Sequence, residues 1–181
     1  MYVLDLIDVV DENNDLLGIV EERKKVYEKI LWHRLVSCWI MNEDGEILLQ
    51  KRSSMKKRNP SKWSRTGGHV KSGESVENAI IREVKEEIGI NIAKEKLKLI
   101  CTYKSDNIQD KYFGYDFFTI VSNKIDEYVL LMDEVSAVKY ITIEELELVK
   151  KQKNEEYSFC DWDHKKFYDT INMLKNERKM I

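Results

Sequence analysis

The sequence predicts an α/β fold, a sandwich in which helices cover a mixed sheet. Three observations carry that expectation. Apolar runs of strand length recur along the chain, one run of helical period stands near its middle, and no segment repeats. With 181 residues and 43% apolar content the chain can bury a full core, and its one Pro and seven Gly leave little room for long linkers. A single domain over residues 1–181 is therefore expected.

Residues 3–10 (VLDLIDVV) are apolar enough for a strand, and 12–15 (ENND) turn the chain into a second extended piece at 16–20. Residues 34–42 are rich in β-branched and aromatic types. Asn42-Glu43-Asp44-Gly45 then turns into Ile47-Leu48-Leu49, which predicts a hairpin. A basic loop from Lys51 to Lys62 leads to a short segment ending in Gly67-Gly68-His69-Val70. The clearest helix covers 75–88: Ser72 or Gly73 starts it, acidic residues fill its first turn, and Gly89 stops it. Strands at 97–104 and 115–122 precede an acidic connection. A strand at 135–143, a short helix at 143–151 and a charged helix at about 163–179 complete the chain.

Charge and processing signals narrow the function. A net charge of −3, with both signs mixed along the chain, argues against a nucleic-acid polymer as partner. The first residues show no basic region followed by an apolar stretch, and no run approaches the length that spans a bilayer. Cys38, Cys101 and Cys160 are far apart and outside any CxxC pair, as expected of reduced thiols. A cytoplasmic protein that does not bind a membrane is the expectation.

The chemistry concentrates in Gly68-x5-Glu74-x7-Arg82-Glu83-Val84-x-Glu86-Glu87-x-Gly89-Ile90. At about 100° per residue, Val76, Ile80, Val84 and Ile88 form one stripe with Ile81 beside it, and that stripe must face a core. Glu83 and Glu87 project together, with Glu86 a turn beyond Glu83. Three carboxylates therefore crowd one side of the helix, roughly 120° from the stripe. Like charges so spaced repel by a few tenths of a kcal/mol per pair. A hard divalent cation with oxygen ligands resolves such a cluster, and Mg²⁺ suits one that also meets phosphate oxygens. A solvated glutamate face is the alternative reading of the same spacing.

The complete spacing is that of the Nudix box, at 68–90, and seven fixed positions recur by chance on the order of 10⁻⁷ per chain. The chain thus resembles the MutT-like Nudix hydrolases. The resemblance implies a Nudix α/β/α sandwich, a mixed β-sheet flanked by helices, preceded by an N-terminal β extension at 1–30. It implies a Mg²⁺-dependent pyrophosphohydrolase, with Mn²⁺ as a possible substitute, acting on a small-molecule diphosphate. By matching position, Glu83, Glu86 and Glu87 are metal ligands and catalytic, Gly68 brings the backbone to the metal, and Arg82 and Glu74 brace the box. Glu134, just before the strand at 135–143, is a candidate general base.

Outside the box, Val9-Val10-Asp11-Glu12 through Gly18, Trp32-His33-Arg34, Leu48-Leu49-Gln50-Lys51-Arg52, Trp63 and Phe159-Cys160-Asp161-Trp162 resemble the subgroup of isopentenyl diphosphate isomerase. Arg52, Lys56 and His69 are, on that resemblance, candidate substrate-binding residues, and His33 matches another isomerase histidine. The isomerase chemistry itself is not expected. No residue from Ser64 to Gly68 is Cys, Val26 stands where a histidine ligand belongs, and Gly114 stands where a glutamate ligand belongs. Trp32, Trp39, Trp63 and the cluster Tyr112, Phe113 and Tyr115 are candidates either for the core or for stacking a base. The expected function is hydrolysis of a nucleoside di- or triphosphate or a nucleoside diphosphate derivative. Isomerase-like activity and a non-catalytic nucleotide sensor are the alternatives, and a homodimer is compatible with the N-terminal strands.

Overall fold

In a computed structural model, which describes residues 5–122, 127–161 and 164–181, the first strands are β1 (Leu6–Val10) and β2 (Leu16–Glu22). They pair antiparallel as a two-stranded ribbon with a bulge at Val9/Val10. The turn between them is held by Asp11, whose Oδ1 accepts from the backbone N–H of Asn13 and Asp15 at 2.8 and 2.9 Å. A six-residue helix α1 (Arg23–Glu28) follows, burying only Val26. The sequence shows no sign of α1, since a turn and a half is too short to display a period.

The remaining strands are β3 (His33–Asn42), β4 (Ile47–Arg52), β5 (Trp63–Ser64), β6 (Thr66–His69), β7 (Lys98–Asn107), β8 (Asp110–Val121) and β9 (Val135–Ile141). The helices are α2 (Val76–Ile88), α3 (Ile143–Lys151) and α4 (His164–Arg178). Strands β3 to β9 make a seven-stranded mixed sheet flanked by helices, the expected fold class. Strands β7 and β8 are longer than the sequence suggests. Residues 105–107 and 110–114, between the two expected runs, continue the strands, and the tight turn at 108–109 is held by Asn107 Oδ1, which accepts from the N–H of Gln109 and Asp110 at 2.9 and 2.8 Å. Without a glycine there, that turn carries no strong sequence signal.

The chain forms two compact units. The first takes the chain to Cys38, then Gly67–Glu83 and Ile92–Phe118; the second takes Trp39–Thr66, Val84–Asn91 and the chain from Thr119. In the first, the sheet order is β3-β8-β7, with β6 also on β3, and Ile7, Val9, Val26, Val36, Ile80 and Phe117 are buried. In the second the order is β5-β4-β3, with β9 also on β4, and Trp39, Met41, Leu49, Ile88, Phe159 and Phe167 are buried. Trp39 is thus a core residue, while Trp32 and Trp63 are half-buried. Cys38 is buried and Cys101 half-buried; the Cys160 side chain and Trp162 lie outside the described residues. Among the described residues no helix is long and apolar enough to cross a membrane.

Candidate active site

Within the first unit, the first half of α2 and the loop before it are organised by Arg82. Its guanidinium donates to both carboxylate oxygens of Glu74 at 3.0 and 2.9 Å, to Glu83 Oε1 at 2.8 Å and to the His69 carbonyl at 2.9 Å. Burial disfavours the guanidinium charge, but the hydrogen bonds to Glu74 and the negative charge of Glu83 outweigh it, so the Arg82 pKa is raised. One cation thereby ties the start of the motif to the middle of its helix. The loop is also clamped by the N-terminal ribbon: Asp8 accepts from Ser72 Oγ at 2.6 Å and from the Gly73 N–H at 2.9 Å.

The two glycines of the motif's opening serve close approach. A Cβ on Gly68 would run into the Glu83 carboxylate, and one on Gly67 into the β3 backbone at Val36. Next to them His69 is nearly buried, its Nε2 at 2.7 Å from the Tyr27 hydroxyl and its ring stacked 5.5 Å from that of His33. His33 is buried, with Nδ1 at 3.0 Å from the Leu31 carbonyl. Nothing in the sequence marks Tyr27, because an aromatic on a six-residue helix gives no hint of a histidine partner 42 residues later.

Within the second unit, Glu86 on the last turn of α2 is exposed, whereas Glu87 is only 4% exposed. The sequence places Glu87 on the polar side of the helix; the fold buries it against β4. There Gln50 Nε2 donates to Glu87 Oε2 at 2.8 Å. Gln50 Oε1 is buried and accepts no hydrogen bond among the described residues. Gln50 is the polar end of the buried run Ile47-Leu48-Leu49, and a buried polar residue on a central strand was the signal available for it.

The segment after Val129 docks on the end of α2. The N–H groups of Val129 and Leu131 donate to the carbonyls of Ile88 and Glu87 at 3.1 and 3.2 Å, meeting acceptors that a helix end leaves open. Gly89 permits this: its φ is +79°, and a Cβ there would meet Val129 at 2.7 Å. The segment ends at Glu134, whose carbonyl accepts from the Ser53 N–H at 2.8 Å and whose carboxylate is ion-paired with Lys56. Arg52 Nε donates to the Arg58 carbonyl at 3.1 Å. Of the other cations near this loop, Lys51 lies over the Trp63 ring and Arg65 over the Trp39 ring, at 5.7 and 5.6 Å.

Among the described residues, no three His, Cys, Asp or Glu side chains are already gathered around one point. Glu83 leans to Arg82 and Glu87 to Gln50. The donor set nevertheless fits a hard divalent cation. The Gln50 oxygen beside Glu87 is a buried acceptor with no hydrogen bond among the described residues, one that a water on such an ion would satisfy. The Gly68 backbone leaves room against Glu83 that any side chain would fill.

Comparison with known proteins identifies the family of the chain. The NUDIX domain family model matches residues 31–163. A Nudix hydrolase of Clostridium acetobutylicum is 36% identical over 150 residues, covering 78% of this chain and 72% of that protein. An isopentenyl-diphosphate Delta-isomerase of Salmonella arizonae is 36% identical over 85 residues, 46% of this chain and 47% of that protein, consistent with the flanking similarities. In fold, a crystal structure of a Deinococcus radiodurans protein aligns with a TM-score of 0.66 at 21% identity, covering 94% of this chain and 98% of that one. With the motif intact and most of the chain matched, the protein belongs to the Nudix family and is a hydrolase of its pyrophosphohydrolase class.

Proposed function

We propose that this enzyme uses Mg²⁺, or Mn²⁺ in its place, to hydrolyse the phosphoanhydride bond of a nucleoside di- or triphosphate or a nucleoside diphosphate derivative. The observation that carries the proposal is Glu87, a motif carboxylate buried beside a buried Gln50 oxygen that accepts no hydrogen bond among the described residues. The unsatisfied Gln50 oxygen has a physical rationale if the water of a cation held beside it completes its hydrogen bonding.

In this reading Glu83, Glu86 and Glu87 hold the metal, with the Gly68 backbone alongside. When bound, the ion supplies polarisation of a phosphoryl oxygen and a lowered pKa for water. Arg82 keeps Glu83 and Glu74 in place as charges rearrange. Arg52 and Lys56 bind diphosphate oxygens, and His69 shapes its surroundings through its Tyr27 contact. Glu134 takes the proton of the attacking water, as a carboxylate at the end of a segment fixed to α2. The isomerase alternative has no thiol between Ser64 and Gly68 to work with, and Gly67 has no space for one.

The test is a panel of nucleoside di- and triphosphates, nucleotide sugars and prenyl diphosphates, followed by product analysis. Nucleotide turnover that stops with a chelator and returns with Mg²⁺ is expected. Isomerised prenyl product, or nucleotide turnover indifferent to chelation, would contradict the proposal.

A further inference from the structure

Lys56 and Glu134 are partners in the second unit, although 78 residues separate them. Their meeting is built from the backbone up. The Ser53 N–H donates to the Glu134 carbonyl, the Lys56 N–H donates to the Ser53 carbonyl at 3.2 Å, and the Ser53 side chain is buried. On the other side, Glu134 closes a turn with the Leu131 carbonyl at 2.8 Å, and Leu131 is itself bonded to the end of α2. The basic loop and the acidic segment are therefore held together by the main chain, and the ion pair crosses a gap that is already closed. The Lys56 side chain is 18% exposed and the Glu134 side chain 35%, so solvent reaches the pair but does not surround it.

These two side chains have incompatible duties in the proposed reaction. A carboxylate that accepts a proton from water must be released from an ammonium group, and an ammonium group that binds phosphate must be released from a carboxylate. We infer that the pair is a substrate-operated latch: Lys56 holds Glu134 in the resting enzyme, and an arriving diphosphate draws Lys56 away and frees Glu134 as the base. The inference rests on the proposed diphosphate hydrolysis and deepens it. No covalent bond is made or broken in the exchange; Lys56 gives up one carboxylate for the oxygens of a more highly charged diphosphate, so the new contact outweighs the resting pair and the exchange reverses when the ligand leaves. Lys56 is in this sense a positioning residue for Glu134 as well as a ligand for phosphate. The base stays occupied until a polyanion is in place, which ties readiness to hydrolyse to the presence of substrate.

A latch makes a prediction that simple phosphate binding does not. Breaking the resting pair from the Glu134 side leaves Lys56 ready for the ligand, so affinity for a diphosphate rises, but only if Lys56 is present. The measurement is calorimetric titration of the full-length protein with imidodiphosphate, a hydrolysis-resistant diphosphate, in Mg²⁺. Wild type, Glu134→Gln, Lys56→Gln, Lys56→Arg and the Glu134→Gln/Lys56→Gln double variant are compared, with circular dichroism confirming their fold. Glu134→Gln should bind about two- to fivefold tighter than wild type, the scale of a partly exposed ion pair. Lys56→Gln should bind about tenfold weaker. The double variant should match Lys56→Gln, and Lys56→Arg should stay close to wild type. In turnover, Glu134→Gln should lower kcat by at least about 100-fold while KM does not rise.

If Glu134→Gln tightens binding equally in the Lys56→Gln background, the gain is general loss of negative charge, and the latch is refuted while diphosphate hydrolysis stands. Unchanged affinity in Glu134→Gln refutes it too. If wild type neither binds imidodiphosphate nor turns over any diphosphate, the proposed function fails and the latch with it.

Discussion

Gly68 and Arg82 show how few atoms hold the motif's Glu74 and Glu83 in place. Arg82 donates to Glu74, Glu83 and the His69 carbonyl, and Gly68 leaves room for the Glu83 carboxylate that a Cβ would fill. Gly68→Ala should therefore leave the fold intact but displace Glu83. Titrating activity against Mg²⁺ should show a requirement raised by about 10- to 100-fold, the scale on which groups supporting a metal ligand act. An unchanged Mg²⁺ profile would separate Gly68 from the metal. At this scale the sequence was most legible in the motif, whose spacing marks its charged residues. Glu83, Glu86, Glu87 and the bracing pair Arg82 and Glu74 all stand out from it. Gln50, Asp8 and Tyr27 do not, because each earns its place from a partner brought near by folding: Glu87, the Ser72-Gly73 loop and His69 respectively.

Among the elements, α2 is the one the sequence specifies most fully. Its apolar stripe buries Ile80, Val84 and Ile88, and Gly89 ends it at a positive φ. The same glycine admits the 129–134 segment, a second duty that a stop signal does not reveal. Helix α3 (Ile143–Lys151) starts at a cap that only the structure shows. Thr142 accepts from the Glu145 N–H at 3.1 Å while Glu145 accepts from the Thr142 N–H at 2.8 Å, a reciprocal capping box. Thr142→Ala should lower stability by about 1 kcal/mol in denaturant titration. It should leave kcat unchanged, because α3 contributes no residue to the proposed chemistry. A loss of kcat at full stability would mean that α3 does more than pack. Strands β7 and β8 were read too short for want of a glycine turn, and α1 was missed because six residues cannot display a period.

At the scale of the whole molecule, composition and element order were enough for the α/β sandwich, but not for the way the ends of the chain are fastened. Helix α4 is tied to α3 by Lys175 with Glu147 at 2.8 Å and by Arg178 with Glu144 at 2.8 and 3.0 Å. Hydrogen bonds from Arg178 pull the Glu144 carboxyl down to about 2. A depressed carboxyl stabilises the fold above its ordinary pKa, here 4.5, and loses that contribution as pH falls toward about 2. Both side chains are more than a third exposed, so solvent screening keeps the effect below about 1 kcal/mol. Arg178→Ala should thus lower Tm slightly at neutral pH and not at pH values near 2. A Tm difference that persisted undiminished in acid would assign the loss to packing of the Arg178 stem against Gly45 instead.

The central claim is that a buried motif glutamate serves a metal-dependent hydrolysis. The most direct measurement is nucleotide product release by wild type and Glu87→Gln side by side in Mg²⁺. The substitution keeps the shape and the Gln50 neighbour but removes the ligand charge. The account predicts turnover by wild type and a fall of at least about 100-fold in kcat in the variant, the scale of losing one electrostatic contact to a transition state. Equal rates in the two proteins, or tight nucleotide binding by wild type without any turnover, would contradict it.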